Sequence, residues 1–373
     1  MTKKYSIFLT GLFCAFIGGV FLLSILLPKK EFSELENRYL QKLPTLSFEA
    51  IHTTGKFMEE AEDYTADHIV GRDFWVSLKS WSERLTGKQE NNGVYFAQDG
   101  ALINRVEDPD WEKTNKDMAA LNTLVGKLNV PTYFGLIPSA AATWADKLPE
   151  GAPTADELAI IDQLYAQTGA NTIDMAGALL EHKDEDIYYR TDHHWTSLGA
   201  FHGANAILNA MGMEQLVLDN YEKTTVSTGF NGTIFSSSGV RWVKPDSIDI
   251  YVPEEGVKVT SYFTGKAEEG QLYVEDFLEK KDKYSYFLGG NQPLCVIEGQ
   301  NPDAPKVLVI RDSYADSLAP FLSERFSEVH LFDLRYNITP IAHYVEQNGI
   351  DAVVVLYSFN NFATDNNLFL MGR

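Results

Sequence analysis

Two short segments of the sequence carry residue types that could together perform nucleophilic catalysis. One contains Asp192, His193 and His194, and the other contains Ser313. A carboxylate beside an imidazole fixes the tautomer of the ring and stabilises its protonated form, and such a ring can take the proton of a serine hydroxyl. In an extended segment, residues two apart point the same way, so Asp192 and His194 are expected to share one side while His193 points away. The pattern predicts a triad with Ser313 as nucleophile, His194 as base and Asp192 as the residue that orients the base.

Both segments precede a predicted helix. Ser313 comes soon after the apolar run 306–310, and Leu318, Phe321 and Leu322 then share a helical face. A strand, a sharp turn and a helix can hold a nucleophile at the end of a parallel sheet, where backbone N–H groups and the helix dipole stabilise an oxyanion. A serine after a strand is also a common helix cap. The catalytic interpretation therefore depends on the two segments together.

The arrangement of apolar runs predicts the fold. The runs at 306–310, 329–332 and 352–356 are apolar without alternation, and a similar run covers 131–137. Runs of this kind, separated by helical stretches, indicate parallel strands buried on both faces. The expected fold is α/β, with a doubly wound parallel sheet that binds ligands at the carboxyl ends of its strands. Turn signals dominate 213–300, which we interpret as a β-rich insertion that either shapes a substrate groove or is peripheral.

The N-terminal segment predicts a membrane anchor. Residues 5–27 contain no charged side chain, and about 20 apolar residues span a bilayer as a helix. We expect an uncleaved, single-pass anchor at 1–28, a juxtamembrane stalk and helical cap at 29–107, and an extracellular catalytic domain at 108–373. Lysines flank both ends of the anchor, so the positive-inside rule does not by itself fix its direction. A cleavable signal peptide is the alternative.

Charge and cysteine content exclude several classes of function. The net charge of −21 repels polyanions, so we expect neither a nucleic-acid nor an anionic-lipid partner. Only Cys14 and Cys295 are present, which excludes a cysteine-rich zinc site, and we expect no disulfide between them. We also expect no cofactor and no bound metal. Metal binding by Asp192, His193 and His194 stays open as a less favoured alternative.

At this point the sequence resembles a known family. The fragment from Thr191 to Trp195, Thr-Asp-His-His-Trp, resembles the signature of the DHHW proteins of Gram-positive bacteria. Together with Arg-Asp-Ser-Tyr at 311–314, it is similar to the SGNH-hydrolase-like domain of the alginate O-acetylation proteins. The segments Glu-Asn-Arg at 36–38 and Arg-Asp at 72–73 also resemble that group. The resemblance implies an exported protein with an SGNH-like fold of permuted motif order.

The resemblance also implies roles for individual residues. Ser313 would be the nucleophile, His194 the base and Asp192 the orienting residue, and a membrane-bound O-acyltransferase partner would export the acetyl group. Ordinary SGNH enzymes have glycine before the Asp-Ser pair, and Arg311 stands there in this chain. Further candidates for oxyanion stabilisation or substrate binding, each with a structural role as the alternative, are Asn360, Asn361, Arg311, Tyr314, Arg335 and Tyr336.

Aromatic and histidine side chains near the two segments have two interpretations. Tyr188, Tyr189, Trp195 and Tyr314 could stack on a sugar ring, although core packing is the commoner fate of such residues. Three further histidines have no evident partner and are expected at the surface or in packing contacts; they are His182, His202 and His330.

Three functions follow from these features. The leading hypothesis is acetyl transfer outside the cell to a cell-surface polysaccharide through a Ser-His-Asp triad. With water as the acceptor, the same half-reaction gives a carbohydrate esterase or deacetylase. The third hypothesis is a non-catalytic polysaccharide-binding or scaffolding protein.

Overall fold

The computed structural model describes residues 3–47 and 56–373. The chain divides into two compact units. One consists of Met1–Asn92 with Phe235–Trp242, and the other of Gly93–Ile234 with Val243–Arg373.

The first unit begins with a long apolar helix, α1 (Lys3–Leu26), none of whose residues is buried. By length and composition α1 could cross a membrane. A membrane anchor and a signal sequence both have this character, so α1 suggests one or the other. The remaining elements assigned to this unit are β1 (Phe32–Ser33), β2 (Arg38–Tyr39), α2 (Lys56–His68), α3 (Arg72–Leu85) and β3 (Glu90–Asn91).

Two arginines join the elements of the first unit through the carboxylates of buried Asp67 and half-buried Glu36. Arg38 Nη1 donates to Asp67 Oδ2 at 2.9 Å, and Arg72 Nη1 lies 2.8 Å from Glu36 Oε1. Arg38 Nε also donates to Glu36 at 2.8 Å. The Glu-Asn-Arg and Arg-Asp segments noted in the sequence therefore meet in one ion-pair network.

The strands of the second unit are β4 (Val94–Phe96), β5 (Leu102–Asn104), β6 (Thr132–Ile137), β7 (Asn171–Thr172), β8 (Thr224–Phe230), β9 (Asp246–Ile250), β10 (Lys258–Ser261), β11 (Glu268–Gly270), β12 (Leu294–Glu298), β13 (Lys306–Arg311), β14 (Glu328–Phe332) and β15 (Ala352–Ser358).

Eight of these strands, within the described ranges, form one mixed sheet in the order β11-β10-β12-β14-β13-β15-β6-β7. The five strands from β14 to β7 run parallel to one another, and β12, β10 and β11 extend the sheet in antiparallel pairing.

Helices alternate with the parallel strands along the chain. The helices from α4 onward are α4 (Trp111–Lys127), α5 (Ala140–Thr143), α6 (Glu157–Tyr165), α7 (Met175–Glu181), α8 (Ser197–Ala210), α9 (Thr233–Ser238), α10 (Ala315–Leu322), α11 (Ile341–Asn348) and α12 (Phe359–Thr364). β13 and β15 are almost wholly buried. Every residue of α10, which follows β13, is also buried, so the strongest apolar runs form the centre of the core.

The predicted α/β fold with a mostly parallel sheet is confirmed. The antiparallel extension was not predicted, because the segment 213–300 was interpreted as an insertion outside the parallel pattern. Three of its strands, β10, β11 and β12, pair into the main sheet instead. The alternation of buried Cys295 and Ile297 with less buried neighbours in β12 is the usual pattern of a strand near a sheet margin.

Candidate active site

Asp192, His194 and Ser313 form a continuous hydrogen-bonded chain. Asp192 Oδ1 lies 2.6 Å from His194 Nδ1, and His194 Nε2 lies 2.8 Å from Ser313 Oγ. Because the carboxylate accepts the proton of Nδ1, the neutral ring keeps Nε2 unprotonated and ready to accept the hydroxyl proton of Ser313. Asp192 and His194 are buried, while Ser313 is partly exposed. The three residues therefore have the order and orientation of a nucleophile, a base and an orienting carboxylate.

Asp192 is held by the first residue of α9, which lies outside the two sequence motifs. Its Oδ2 accepts from the Thr233 backbone N–H at 2.7 Å and from Thr233 Oγ1 at 3.0 Å. A side chain at position 232 would place its Cβ 2.2 Å from Asp192 Oδ2, so only glycine fits there. Burial by itself raises the pKa of Asp192, but the positive charges of the His193 and His194 rings when these are protonated, together with these hydrogen bonds, outweigh it and lower the pKa. Asp192 is therefore ionised at neutral pH.

His193 does not point away from the site, and that prediction is wrong. Its ring lies beside the ring of His194, with centroids 3.8 Å apart, and its Nδ1 is 2.7 Å from Thr233 Oγ1. Residues 190–194 form a series of bends rather than an extended strand, so alternation does not apply to them. Burial and the charge of His194 lower the pKa of His193 to about 4, against the attraction of Asp192. His193 is therefore neutral at neutral pH and adds no charge beside the base.

Ser313 lies in the turn between β13 and α10, where the sequence predicted it. The neighbouring Asp312 carboxylate accepts from the Tyr314 N–H at 3.0 Å. It also accepts from the Ser358 N–H and hydroxyl, at 2.8 and 2.7 Å, and from Asn361 Nδ2 at 2.8 Å. Asp312 thereby fastens the turn that carries Ser313 to the carboxyl end of the adjacent strand β15.

Tyr284 packs against the base from the segment 213–300. Its ring is parallel to the His194 ring, with centroids 3.7 Å apart and 8° between the planes. Its hydroxyl donates to the Ser313 carbonyl at 3.1 Å and lies 3.0 Å from Ser317 Oγ. One side chain thus contacts the face of the His194 ring and the backbone of Ser313. Of the two interpretations of 213–300, the one in which it helps to shape the site is favoured by this contact.

Comparison with known proteins now identifies the family. The model of the DHHW protein family matches residues 132–332, which is more than half of the chain. The chain belongs to the DHHW family. A search of the curated proteins gave no match.

Several solved structures are similar to this chain. A DHHW family protein from Eubacterium siraeum DSM 15702 is 25% identical with a TM-score of 0.66, over 75% of this chain and 95% of that one. Bacillus cereus PatB1 is 25% identical with a TM-score of 0.59, over 73% of this chain and 97% of that one. The O-acetyltransferase domain of Pseudomonas putida AlgJ is more distant, at 14% identity and a TM-score of 0.45, over 74% of this chain and 94% of that one.

The tryptophan of the DHHW motif is hydrogen-bonded to the residues that follow Ser313. Trp195 is fully buried, and its Nε1 donates to the Tyr314 carbonyl at 2.9 Å and to Ser317 Oγ at 3.0 Å. In return, the Tyr314 hydroxyl donates to the His193 carbonyl. The segment that carries the base and the turn that carries Ser313 are therefore tied together in both directions. Since Tyr188, Tyr189, Trp195 and Tyr314 are all buried, core packing is the role that the structure gives them, and not stacking on a sugar.

Arg311 lies fully buried beneath the nucleophile turn. Its Nη2 is 3.0 Å from Asp316 Oδ1, and its Nη1 donates to the Asp312 carbonyl at 3.3 Å. Burial lowers the pKa of Arg311, but the charges of Asp316 and Asp333 outweigh this and raise it. Burial raises the pKa of Asp316 to about 6, against the charge of Arg311. Arg311 contacts the backbone that precedes Ser313 and does not reach the reacting atoms.

Of the remaining predicted site residues, Asn361 lies beside Ser313, whereas Arg335 and Tyr336 lie farther along the chain near Asp333. Asn361 donates to Asp312 and so lies beside the turn that carries Ser313, whereas the Asn360 carbonyl accepts from Thr364 Oγ1. Arg335 donates to Asp333 Oδ2 at 2.6 Å, and Tyr336 is an exposed residue next to it. The carboxylate of Asp333 connects Arg335 with Arg311, so Arg335 belongs to the charge network beneath the site.

The three histidines with no evident partner in the sequence each have one in the structure. His182 Nδ1 and His202 Nε2 lie 2.8 and 3.0 Å from the two oxygens of Glu185. His330 is buried between Glu328, at 2.9 Å, and the Tyr344 hydroxyl, at 2.7 Å. These partners are two carboxylates and one tyrosine hydroxyl that no motif marks.

Two groups of side chains in the described part of the chain have ligand atoms close enough to share a metal ion. In the group of Asp192, His193 and His194, both ring nitrogens of His194 already form hydrogen bonds. In the group of His182, Glu185 and His202, the two rings are stacked at 3.5 Å with 13° between their planes. An ion lies close to the plane of each imidazole that binds it, and two ring planes stacked 3.5 Å apart with only 13° between them do not meet near either ring. Neither arrangement fits a metal as it stands.

Proposed function

We propose that this DHHW protein is an acyltransferase that moves an acetyl group through Ser313 to a hydroxyl of a cell-surface polysaccharide. The observation that carries the proposal is the hydrogen-bonded chain from Asp192 through His194 to the partly exposed Ser313 hydroxyl. The resemblance of the Asp-His-His-Trp and Arg-Asp-Ser-Tyr segments to those of exported O-acetylation proteins supports acetyl as the group and a polysaccharide as the acceptor.

In the first half-reaction, His194 Nε2 takes the proton of Ser313 as Oγ attacks the acetyl carbonyl carbon. The tetrahedral intermediate collapses when its bond to the donor breaks, and the donor's leaving group takes the proton back from His194. In the second half-reaction, His194 takes the proton of the acceptor hydroxyl, whose oxygen attacks the acetyl-Ser313 carbonyl. Ser313 then leaves with that proton, and the acceptor carries the ester.

The negative charge that develops on the carbonyl oxygen needs nearby donors. Among the described residues the Ser313 backbone N–H forms no hydrogen bond, and it lies in the turn just before α10. Asn361 Nδ2 has two hydrogens and donates to Asp312 next to Ser313. We assign the oxyanion donors to these two groups, with Asn361 preferred over Asn360 because only Asn361 contacts the nucleophile turn.

The cellular setting is part of the same proposal. Helix α1 would anchor the protein in the cell membrane, with the second unit outside, where surface polysaccharide is found. A membrane-bound O-acyltransferase would then supply the acetyl group at the outer face. The acidic net charge is compatible with a neutral sugar acceptor.

The proposal is tested by comparing acetyl transfer and acetyl-ester hydrolysis by the full chain, with p-nitrophenyl acetate as donor and purified surface polysaccharide as acceptor. We expect acetyl on the polysaccharide, none with Ser313→Ala, and normal transfer with Ser323→Ala, which removes a buried hydroxyl bonded to Pro320 instead. Release of acetate without acetylated polymer would identify an esterase. Absence of both reactions would favour a binding or scaffolding role.

A further inference from the structure

His193 lies at the exposed side of the site, and the proposed reaction gives it no role. Its ring and the ring of Tyr284 both lie against His194, with centroids 3.8 and 3.7 Å from that ring. Tyr284 is buried, whereas 34% of the His193 side chain is exposed. Ser313, which the base contacts, is also partly exposed. Of the two rings that flank the base, only that of His193 can therefore meet a substrate.

Hydrogen bonds around Asp192 fix which nitrogen of His193 carries the proton. The Thr233 hydroxyl has one hydrogen and donates it to Asp192 Oδ2 at 3.0 Å. Because an ionised carboxylate is the stronger acceptor, this hydroxyl can only accept from His193 Nδ1, which lies 2.7 Å away. Asp192 Oδ1 lies 3.5 Å from the same nitrogen and also favours a proton there. The neutral ring of His193 therefore has its proton on Nδ1 and a lone pair on Nε2.

Asp192 thus holds both histidines of the motif in the same tautomer. His194 Nδ1 lies 2.6 Å from Asp192 Oδ1, and His193 Nδ1 is connected to Oδ2 through Thr233. The Nε2 atom of His194 accepts from Ser313 Oγ at 2.8 Å. Within the described ranges the Nε2 atom of His193 has no hydrogen-bond partner, and it is not sealed from solvent. Two acceptor nitrogens therefore lie on adjacent rings, and one of them is free.

A neutral imidazole nitrogen with a lone pair selects for a hydrogen-bond donor. It offers no proton, so it does not bind carboxylate or phosphate oxygens, and it can accept from a hydroxyl. The attacking hydroxyl of an acceptor must lie at His194 Nε2, where its proton is removed. The donor at His193 is then a different group of the same molecule. Neighbouring hydroxyls of one sugar ring supply such a pair.

We propose that His193 binds the acceptor by accepting a hydrogen bond from the hydroxyl next to the one that is acetylated. The inference rests on the proposed acetyl transfer and adds that the acceptor is a vicinal diol. His194 Nε2 takes the proton of the attacking hydroxyl, whose oxygen bonds to the acetyl carbon, and Ser313 Oγ leaves with that proton. His193 exchanges no proton and holds the neighbouring hydroxyl, so that the attacking oxygen faces the carbonyl. Water has no neighbouring hydroxyl, so this contact favours a sugar over water as the acceptor.

A comparison of two small acceptors tests the inference. The full chain is given p-nitrophenyl acetate with either trans-cyclohexane-1,2-diol or cyclohexanol, and the acetylated alcohol is measured against released acetate. We expect the wild type to favour the diol on the order of five- to ten-fold beyond the statistical advantage of its second hydroxyl, because cyclohexanol lacks one neutral hydrogen bond.

Two substitutions separate the two nitrogens of His193. In His193→Asn the amide can still donate to Thr233, but nothing replaces Nε2, so the preference for the diol should disappear. In His193→Gln the longer side chain can place its carbonyl oxygen where Nε2 was, so the preference should return at least in part. With purified surface polysaccharide as acceptor, His193→Asn should lower the ratio of transfer to hydrolysis by a similar factor. Formation of acetyl-Ser313, followed by the burst of p-nitrophenol, should change little, because His194 keeps its bonds to its two partners.

His182→Asn is the matched control, because it removes a histidine ring that bonds to Glu185 instead, and it should keep the wild-type preference and ratio. Equal use of the two alcohols by the wild type, or an unchanged ratio in His193→Asn, would overturn the inference and leave the proposed function standing. A loss of acetyl-Ser313 formation in His193→Asn as large as the loss of transfer would also overturn it, since His193 would then act only on the base. A wild type that forms no acetyl-Ser313 would contradict the proposed function and this inference together.

Discussion

The ring of Tyr284 lies flat against the ring of His194, with 3.7 Å between centroids and 8° between planes. The same tyrosine donates a hydrogen bond to the carbonyl of Ser313. It therefore restrains the base and the nucleophile at once. Because Tyr284 is buried, it cannot stack on a substrate, and we interpret it as a positioning residue.

Two variants of Tyr284 separate its stacking on His194 from its hydrogen bond to Ser313, and they should lower kcat by different amounts. Tyr284→Phe keeps the stacked ring and loses the hydroxyl, so kcat for acetyl-ester turnover should fall only a few-fold. Tyr284→Leu loses both contacts and should lower kcat about ten-fold or more. KM should change little in either variant, because the ring does not touch substrate. Equal loss in both variants, or a change confined to KM, would contradict the positioning role.

Gly232 lies against the Asp192 carboxylate and leaves no room for a side chain. An alanine there would place its Cβ 2.2 Å from the Asp192 carboxylate, so the carboxylate must move away from His194 Nδ1. We expect Gly232→Ala to lower kcat by at least about 100-fold, since loss of the orienting carboxylate costs about 10,000-fold in serine proteases. Gly229→Ala is the control, because a Cβ there meets nothing within 4 Å. Full activity in Gly232→Ala would show that the position of Asp192 does not matter.

The buried charges beneath Ser313 should be coupled. Arg311→Met would leave the buried Asp316 carboxylate without its cationic partner, which typically costs about 3–5 kcal/mol in the free energy of unfolding. Adding Asp316→Asn removes the orphaned charge, so the double variant should be more stable than Arg311→Met alone. Chemical unfolding of the full chain in detergent measures both. If the loss in the free energy of unfolding of the double variant equals the sum of the losses of Arg311→Met and Asp316→Asn measured singly, the two side chains do not interact.

Glu157 should make stability depend on pH. It is 2% exposed and accepts from the Ser139 N–H and hydroxyl, both at 2.6 Å. Burial raises the pKa of Glu157 from 4.5 to about 7, and the Ser139 hydrogen bonds only partly oppose this. Between these values the folded state keeps a proton that the unfolded state has lost, so the free energy of unfolding falls as pH rises through this window.

Glu157→Gln isolates that effect. The amide cannot ionise, so the variant should lack this decline, whose size in the wild type is on the order of 1–3 kcal/mol. Unfolding curves recorded at roughly pH 4.5, 5.5, 6.5 and 7.5 give the slope of the free energy of unfolding against pH for the wild type and for the variant. Parallel pH profiles for the wild type and the variant would show that Glu157 titrates normally in the folded chain.

Much of the fold and the central part of the site could be predicted because their signals are local. β13 is a continuous apolar run, and Ser313 follows it within a few residues. The DHHW fragment likewise fits within five positions. The prediction for His193 was wrong, because it assumed an extended backbone where residues 190–194 bend.

The rest of the site depends on contacts between distant segments. Tyr284 reaches His194 from a region of short strands and turns, and nothing around it in the sequence marks a catalytic neighbour. The Asn231-Gly232 pair was recognisable only as a turn signal, although the glycine is required by the Asp192 carboxylate. Asp312 stood in the quoted motif, but its bonds to Ser358 and Asn361 appear only when β13 and β15 are adjacent.

The most direct test is to find where acetyl resides during turnover. The full chain is mixed with p-nitrophenyl acetate, quenched in acid, digested and analysed by mass spectrometry. We expect one acetyl group on Ser313, none there in His194→Ala, and transfer from the isolated acetyl-enzyme when polysaccharide is added. Acetyl on another residue, or turnover that persists in Ser313→Ala, would contradict this mechanism.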